Sequence, residues 1–132
     1  MSAGIKRTFL LIAIFQALHS IEEYVFELWD HLAPARFVSG LFSDNLPFGF
    51  AVANCMIVAF VFLTYFIPVQ RNTGYAIGLL WFWAILETLN GLGHLWFSFE
   101  SGEYFPGFFT APFLLLFGGI LIGQLTIRRN AT

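Results

Sequence analysis

The sequence is poor in charged residues. Asp, Glu, Lys and Arg make up 11% of its 132 residues, less than half of the roughly 25% that is usual in soluble domains. Hydrophobic residues reach 58%, and phenylalanine alone supplies 18 positions. A soluble chain near this size buries only about two thirds of the surface that it exposes when unfolded. The sequence therefore predicts a protein whose solvent is largely lipid.

Cysteine and clustered basic residues are also scarce. Cys55 is the one cysteine, so no disulfide can form within the chain. The six lysines and arginines form no basic patch with interleaved aromatic residues, which argues against nucleic acid as a partner. We expect the partner to be a membrane lipid or a hydrophobic small molecule, and a homo-oligomer is left open.

Four apolar segments are long enough to cross a bilayer, which takes about 20 helical residues. They cover approximately residues 8–29, 48–69, 75–97 and 110–127. The sequence therefore predicts an all-α, integral membrane four-helix transmembrane bundle that forms one domain over residues 1–132. The linker 30–46 is expected to be an irregular or partly interfacial loop. Two glycine pairs have a spacing that favours close helix contacts, Gly74 with Gly78 and Gly119 with Gly123.

The distribution of basic residues predicts the orientation. An even number of spans places both termini on one side, and five of the six basic residues fall there: Lys6, Arg7, Arg71, Arg128 and Arg129. Only Arg36 falls on the other side. The positive-inside rule then places both termini in the cytoplasm. We expect the protein to reside in the cytoplasmic (plasma) membrane.

Polar residues within the spans fall at similar depths. Counted from the outer ends at 1.5 Å per residue, three spans place polar side chains between about 5 and 15 Å below the outer surface. These residues are His19, Glu22 and Glu23 in the first span, Asn54 in the second, and Glu87, Asn90 and His94 in the third. An ionisable residue at the centre of a membrane helix costs about 2.5–3.5 kcal/mol. Such a cluster marks a candidate functional site.

Acid–base chemistry is one interpretation of this layer. A carboxyl group in an apolar cavity becomes a competent proton donor, and a neighbouring imidazole can accept a proton. The candidate catalytic residues are His19, Glu22, Glu23, Glu87, Asn90 and His94. The alternative is structural, with the same groups joining the helices by hydrogen bonds.

Metal binding is the second interpretation. His19, Glu22, Glu87 and His94 are the candidate ligands, with Glu23 as a further carboxylate. The Glu-x-x-His order of di-iron bundles is not met, and one zinc held by two histidines and one glutamate is a simpler arrangement. Zn or Fe is the expected metal in this case, and otherwise there is no cofactor.

Aromatic side chains near this layer are candidates for the wall of a substrate cavity. Together with Asn54 they are Trp81, Trp83, Trp96 and Tyr104. Their faces could bind a ring, an alkene or a developing cation. Core packing and an interfacial aromatic belt are the alternative for each.

With these residues in place, the chain resembles the HXXEE-domain family of small multi-pass membrane proteins. The motif stands here as His19-Ser20-Ile21-Glu22-Glu23, and 90–94 (Asn-Gly-Leu-Gly-His) and 104–107 (Tyr-Phe-Pro-Gly) resemble later family motifs. The resemblance covers most of the chain. It implies an integral membrane protein with a His/Glu site, and it brings no assigned reaction.

The functional hypothesis is an enzyme of the lipid isomerase, cyclase or hydrolase type. It would act by acid–base chemistry, with metal assistance as a variant, on a lipid or isoprenoid-like substrate that enters from the bilayer. The alternative is a non-catalytic binding protein for a lipid or small molecule, or a proton-coupled carrier.

Overall fold

A computed structural model describes the backbone of residues 1–130 and the side chains of residues 1–128. It contains six α-helices, with no strand within the described range: α1 (Ala3–Val25), α2 (Leu28–His31), α3 (Ala33–Phe42), α4 (Leu46–Thr64), α5 (Ala76–Ser101) and α6 (Ala111–Asn130). A π-helical segment, Tyr65–Val69, continues α4. The all-α prediction is confirmed.

Four helices are long and apolar enough to cross a membrane, as predicted. They are α1, α4 with its π-helical continuation, α5 and α6. Lys6 Nζ donates to the Gln70 carbonyl at 3.0 Å, so the start of α1 meets the end of the second span. This end of the bundle also holds Gln124 of α6, beside Gly4. The cytoplasmic location of the termini stays a prediction from charge, and the side chain of Arg129, one of its five charges, lies outside the described residues.

The first span ends earlier than expected. Its helix stops at Val25, and Glu27 takes a left-handed conformation with φ of 56°. The chain turns there, and Leu28 and Trp29 pack with Phe50 and Phe105 in a small core at the end of the bundle away from the termini. The predicted segment to Trp29 is therefore a helix, a turn and the short α2.

The linker after α2 is largely helical, so the expectation of an irregular loop was wrong for residues 33–42. Pro34 lies in the first turn of α3, where a missing N–H costs nothing. Ser39 is buried, whereas Phe37 and Leu41 are exposed. A Cβ on Gly49 would lie 2.1 Å from the Ser39 carbonyl oxygen, so α3 lies directly against the start of α4. The exposed apolar side chains suit α3 to the membrane interface.

The half of the bundle nearer the termini contains an apolar core, which we call the inner core. Its fully buried members include Phe9, Ile12, Leu80 and Leu121, one or two from each of three spans. Trp83 is also buried there, and its indole N–H donates to Thr64 Oγ1 at 3.2 Å. Many other large apolar side chains are exposed on the outside of the bundle, as expected for a surface that faces lipid.

Close contact between α5 and α6 depends on two glycines. A Cβ on Gly91 would lie 2.6 Å from the Ala111 carbonyl oxygen, and one on Gly118 would lie 2.4 Å from Thr88 Oγ1. The glycine pairs that the sequence suggested behave differently. A Cβ at any of those four positions would meet nothing within 4 Å, so that prediction was wrong for contacts within the described chain.

Replacing Gly91 by alanine should destabilise the bundle, because the new methyl group would meet backbone atoms of α6 that cannot move independently. We expect Gly91→Ala to lower the free energy of unfolding by about 1–3 kcal/mol. Gly93→Ala, in open space on the same helix, should be neutral or stabilising by up to about 1 kcal/mol. Unfolding of the detergent-solubilised protein, followed by circular dichroism, measures both, and equal stabilities would contradict this packing.

Candidate functional site

Three buried side chains meet in the half of the bundle away from the termini. His19 and Glu23 lie one turn apart on α1, and His94 lies in the second half of α5. Glu23 Oε1 is 3.2 Å from His19 Nε2 and 3.1 Å from His94 Nε2. The two imidazole rings are perpendicular, with centroids 4.5 Å apart. One carboxylate oxygen is thus shared by two histidines, and we call these three residues the His-Glu-His centre.

The other ring nitrogen of each histidine has a defined partner. His94 Nδ1 lies 2.6 Å from the Pro106 carbonyl oxygen, which can only accept, so Nδ1 carries the proton. His19 Nδ1 lies 2.6 Å from Thr110 Oγ1, and the Thr110 hydroxyl donates to Glu22 Oε2 at 2.6 Å. Because that hydroxyl proton is already used, Thr110 Oγ1 accepts from His19. Both Nδ1 atoms are therefore donors, and both Nε2 atoms point to Glu23.

This arrangement requires a proton or a cation between the facing groups of the centre. An imidazole with its proton on Nδ1 presents a lone pair at Nε2, and a carboxylate oxygen presents lone pairs only. His19 Nε2 is buried and makes no hydrogen bond of acceptable geometry, although it lies near Glu23. Either additional protons, on the imidazoles or on Glu23, or a bound cation must separate these facing lone pairs. The three side chains offer ligand atoms within 4.8 Å of one another, which suits a metal ion.

Glu22 has a different environment from Glu23. Its Oε1 accepts from the Tyr104 hydroxyl at 2.6 Å and the Phe109 amide at 2.9 Å. Its Oε2 accepts from the amide and the hydroxyl of Thr110, at 3.0 and 2.6 Å. Both oxygens are occupied, and the carboxylate lies at the amino end of α6, where the helix dipole favours negative charge. Glu22 therefore fixes the loop before α6 and, through Thr110, orients His19.

Tyr104 is one of the donors that hold this carboxylate. Burial and the neighbouring Glu22 carboxylate raise the pKa of the Tyr104 hydroxyl above its ordinary value. The hydroxyl therefore keeps its proton at any physiological pH and remains a donor to Glu22. The structure places Tyr104, which was predicted to line a substrate cavity, in the loop 102–110 between α5 and α6, which we call the outer loop.

Gly107 closes the centre from the loop side. Its φ is 94°, a region that favours glycine. A Cβ there would lie 2.6 Å from both His19 Cε1 and His94 Nδ1. Sequence reasoning misses Gly107 and Thr110 as site residues because neither carries an ionisable group. The available signals are the Pro-Gly pair before the fourth span and the place of Thr110 at the start of that span.

The site residues coincide with a sequence signature. A family model described as "Protein of unknown function with HXXEE motif" matches residues 10–122. The chain belongs to the HXXEE family. No curated protein and no solved structure matches the chain. In this HXXEE protein the residues of the motif have two roles. His19 and Glu23 belong to the His-Glu-His centre, whereas Glu22 anchors the loop before α6.

Glu87 lies apart from the centre of this HXXEE protein, at the level of Gln16, one turn before His19 on α1. It is fully buried. With its nitrogen facing Glu87, the Gln16 amide donates to Glu87 Oε2 at 2.8 Å and accepts from Ser20 Oγ at 3.1 Å. Glu22 and Glu87 thus have protein partners of their own, and the roles predicted for them as metal ligands stay predictions.

A cavity of about 600 Å³ adjoins the centre. Its polar lining consists of Gln16, Glu23, Asn54, Glu87, Asn90 and His94. These include four of the six predicted catalytic residues, together with Asn54, which was predicted for the cavity wall. Its remaining lining is apolar and comes from α2, the turn after it, α3, α4 and α5. Leu89, Leu86 and Ile57 lie at its edge and are 61%, 40% and 40% exposed on the bundle surface.

The three tryptophans predicted for the cavity lie elsewhere. Trp83 is in the inner core, where Thr64 satisfies its N–H, and Trp81 packs against the same core. Trp96 is 60% exposed and packs beside Phe99 on the outer surface. Their positions correspond to the alternative of core packing and an interfacial belt. The cavity wall is instead mostly aliphatic.

Substitution of Glu22 by glutamine should loosen the outer loop, because the amide nitrogen would face N–H and O–H donors. We expect a loss of about 1–3 kcal/mol in the free energy of unfolding and faster hydrogen exchange at the amides of Phe109 and Thr110. Glu103→Gln, an exposed change in the same loop, is the control. Unchanged exchange at both amides in Glu22→Gln would contradict the anchoring role.

Proposed function

We propose that this HXXEE protein is an intramembrane enzyme that performs acid–base chemistry on a lipid or isoprenoid-like substrate. The observation that carries the proposal is that the His-Glu-His centre and Glu87 border a cavity whose other walls are apolar. Proton-transferring groups and a space for an apolar molecule therefore meet at one place. Isomerisation, cyclisation and hydrolysis are the reaction types that need such groups.

The position of the cavity supports a substrate that arrives through the bilayer. Its edge includes side chains of α4 and α5 that face the surrounding lipid. The amphipathic helix α3 contributes Pro34, Ala35 and Val38 from the interface. A molecule with an apolar tail could thus enter from the side and direct its polar end toward Glu23 and His94.

The charge of the lining supports an uncharged or cationic substrate. Two carboxyl groups, Glu23 and Glu87, line the cavity, and no lysine or arginine is among its described lining residues. Arg36 lies nearby in the chain but is paired with Asp30 and bonded to the Trp29 carbonyl. Phosphate groups usually require Arg or Lys. A neutral lipid, such as an alcohol, ester or ketone, is therefore favoured over a phospholipid head group.

Within the centre, the roles follow from geometry. Glu23 and His94 line the cavity and can reach a substrate, so they are the candidate proton-transferring groups. His19 lies behind them, held by Thr110, and completes the charge balance of Glu23. Glu87, held by Gln16, is a second proton-carrying group on the cavity wall. Asn90 and Asn54 can hydrogen-bond to a substrate oxygen.

Filling the cavity should prevent lipid binding. Ala53 is buried in its wall, and we expect Ala53→Phe to reduce co-purified neutral lipid at least about threefold, because the ring would occupy the space that a bound tail needs. Ala59→Phe places the same ring on the exposed side of α4 and is the matched control. Mass spectrometry of lipid extracted from the purified proteins measures the difference, and equal lipid content in both variants would contradict the assignment of this cavity.

Catalysis is tested by comparing membranes that contain the wild type, Glu23→Gln or Glu103→Gln. The wild type and the exposed control variant should convert a neutral lipid that Glu23→Gln leaves unconverted, because an amide cannot exchange a proton at neutral pH. Lipid profiles recorded over time by mass spectrometry measure the conversion. Identical profiles in all three would overturn the enzymatic proposal. A lipid that co-purifies unchanged with all three would instead support the non-catalytic binding protein or carrier.

A further inference from the structure

We propose that the His-Glu-His centre binds one zinc ion through His19 Nε2, His94 Nε2 and a carboxylate oxygen of Glu23. This inference names a cofactor for the site of the proposed function, and it depends on the geometry of the ligands rather than on any reaction. With zinc bound, Glu23 and His94 would be ligands, so Glu87 would be the proton-transferring side chain on the cavity wall. Two imidazoles and one carboxylate form a zinc ligand set that leaves a fourth position for water or a substrate.

The distances suit a four-coordinate ion. Ligands about 2.0–2.1 Å from a tetrahedral zinc lie about 3.3–3.4 Å from one another. The two Nε2-to-Oε1 separations are 3.2 and 3.1 Å, and all three ligand atoms lie within 4.8 Å of one another. Small rotations of the side chains would therefore be enough to complete the coordination.

The partners of the ring nitrogens also suit a metal. A metal-ligating histidine usually donates its other N–H to a carbonyl, a carboxylate or a similar acceptor, which fixes the ring and its tautomer. His94 donates to the Pro106 carbonyl, and His19 donates to Thr110, which is itself held by Glu22. Both rings are thus held with Nε2 directed at the same point.

Protons are a less suitable source of the positive charge. A single proton, on Glu23 or on one imidazole, would separate only one of the two Nε2–Oε1 contacts and leave the other with facing lone pairs. Because both Nδ1 atoms already carry protons, protonation of both Nε2 atoms would create two imidazolium ions with ring centroids 4.5 Å apart, and their charges would repel. The Nε2 of His19 also makes no hydrogen bond of acceptable geometry to Glu23, although the two atoms are 3.2 Å apart. A divalent ion between the three ligand atoms removes both difficulties.

The two other buried glutamates, Glu22 and Glu87, are already bonded to other groups, so the ligand set has three members. Glu22 uses both oxygens on the outer loop, and Glu87 faces the Gln16 amide. Glu23 and His94 border the cavity, so the open position of the ion would face the space assigned to the substrate. Zinc is preferred to Fe(II), which also accepts two histidines and a carboxylate, because zinc binds nitrogen and oxygen sites more tightly in the usual order of metal affinities.

The test measures metal in the full-length protein, purified in detergent without chelators and without a metal-affinity column. Inductively coupled plasma mass spectrometry should find about one zinc ion per chain in the wild type. His94→Ala and Glu23→Gln should lose at least about tenfold of the bound zinc, and Thr110→Val should weaken zinc binding about 10–100-fold by releasing the His19 ring. His31, the third histidine, lies outside the centre and supplies the matched control. The His31→Ala variant should bind as much zinc as the wild type.

Cobalt provides a second measurement that reports geometry. Titration of metal-free wild type and His31→Ala with Co²⁺ should give the intense visible absorption of tetrahedral cobalt, and His94→Ala and Glu23→Gln should not. Helix content by circular dichroism shows whether each variant is folded. If Glu23→Gln is unfolded, the comparison relies on Thr110→Val, whose change lies outside the ligand set.

The outcomes separate this inference from the enzymatic proposal. Metal-free wild type that takes up neither zinc nor cobalt would overturn the metal site, and lipid conversion by such a protein would leave the acid–base proposal standing. Zinc bound as expected without any lipid conversion would support the site and contradict the enzyme. Iron at one equivalent in place of zinc would overturn the assignment of zinc.

Discussion

The bonding of Glu22 is the constraint on which the rest of the site depends. A carboxylate within an apolar bundle needs several donors to offset the loss of water, and the loop between α5 and α6 supplies four: Tyr104, the Phe109 amide, and the amide and hydroxyl of Thr110. This bonding ties α1 to the amino end of α6. It also sets the Thr110 hydroxyl, which sets the His19 ring.

Two adjacent glutamates therefore have separate functions in this protein. Both oxygens of Glu22 accept hydrogen bonds from the loop before α6, so Glu22 holds that loop in place. Glu23 shares one oxygen between two histidines and borders a cavity. The distinction follows from azimuth, since consecutive residues on a helix point about 100° apart. One faces the outer loop and α6, and the other faces α5. The motif thus combines the support of a site with the site itself.

Much of this structure could be predicted from the sequence, because the bilayer limits what a chain can do. The four spans follow from length and hydropathy, and the convergence of His19, Glu23 and His94 follows from depth and helix periodicity. The positions of Glu22 and Glu87 outside the His-Glu-His centre could not be predicted. Glu22 is held by the loop 102–110, and Glu87 is held by Gln16. The exclusion of Trp81, Trp83 and Trp96 from the cavity could not be predicted either, because an aromatic residue in a membrane helix suits core, belt and pocket equally well.

The separation in sequence between Glu22 and its partners has a consequence for biogenesis. Thr110 follows Glu22 by 88 residues. At about 5–20 residues per second, the ribosome needs roughly 4–18 seconds to make that stretch. During this interval α1 carries a histidine and two glutamates for which α5 and α6 do not yet exist. Until α5 and α6 are made, water or the insertion machinery would have to solvate the polar face of α1, because a buried carboxylate without donors is costly.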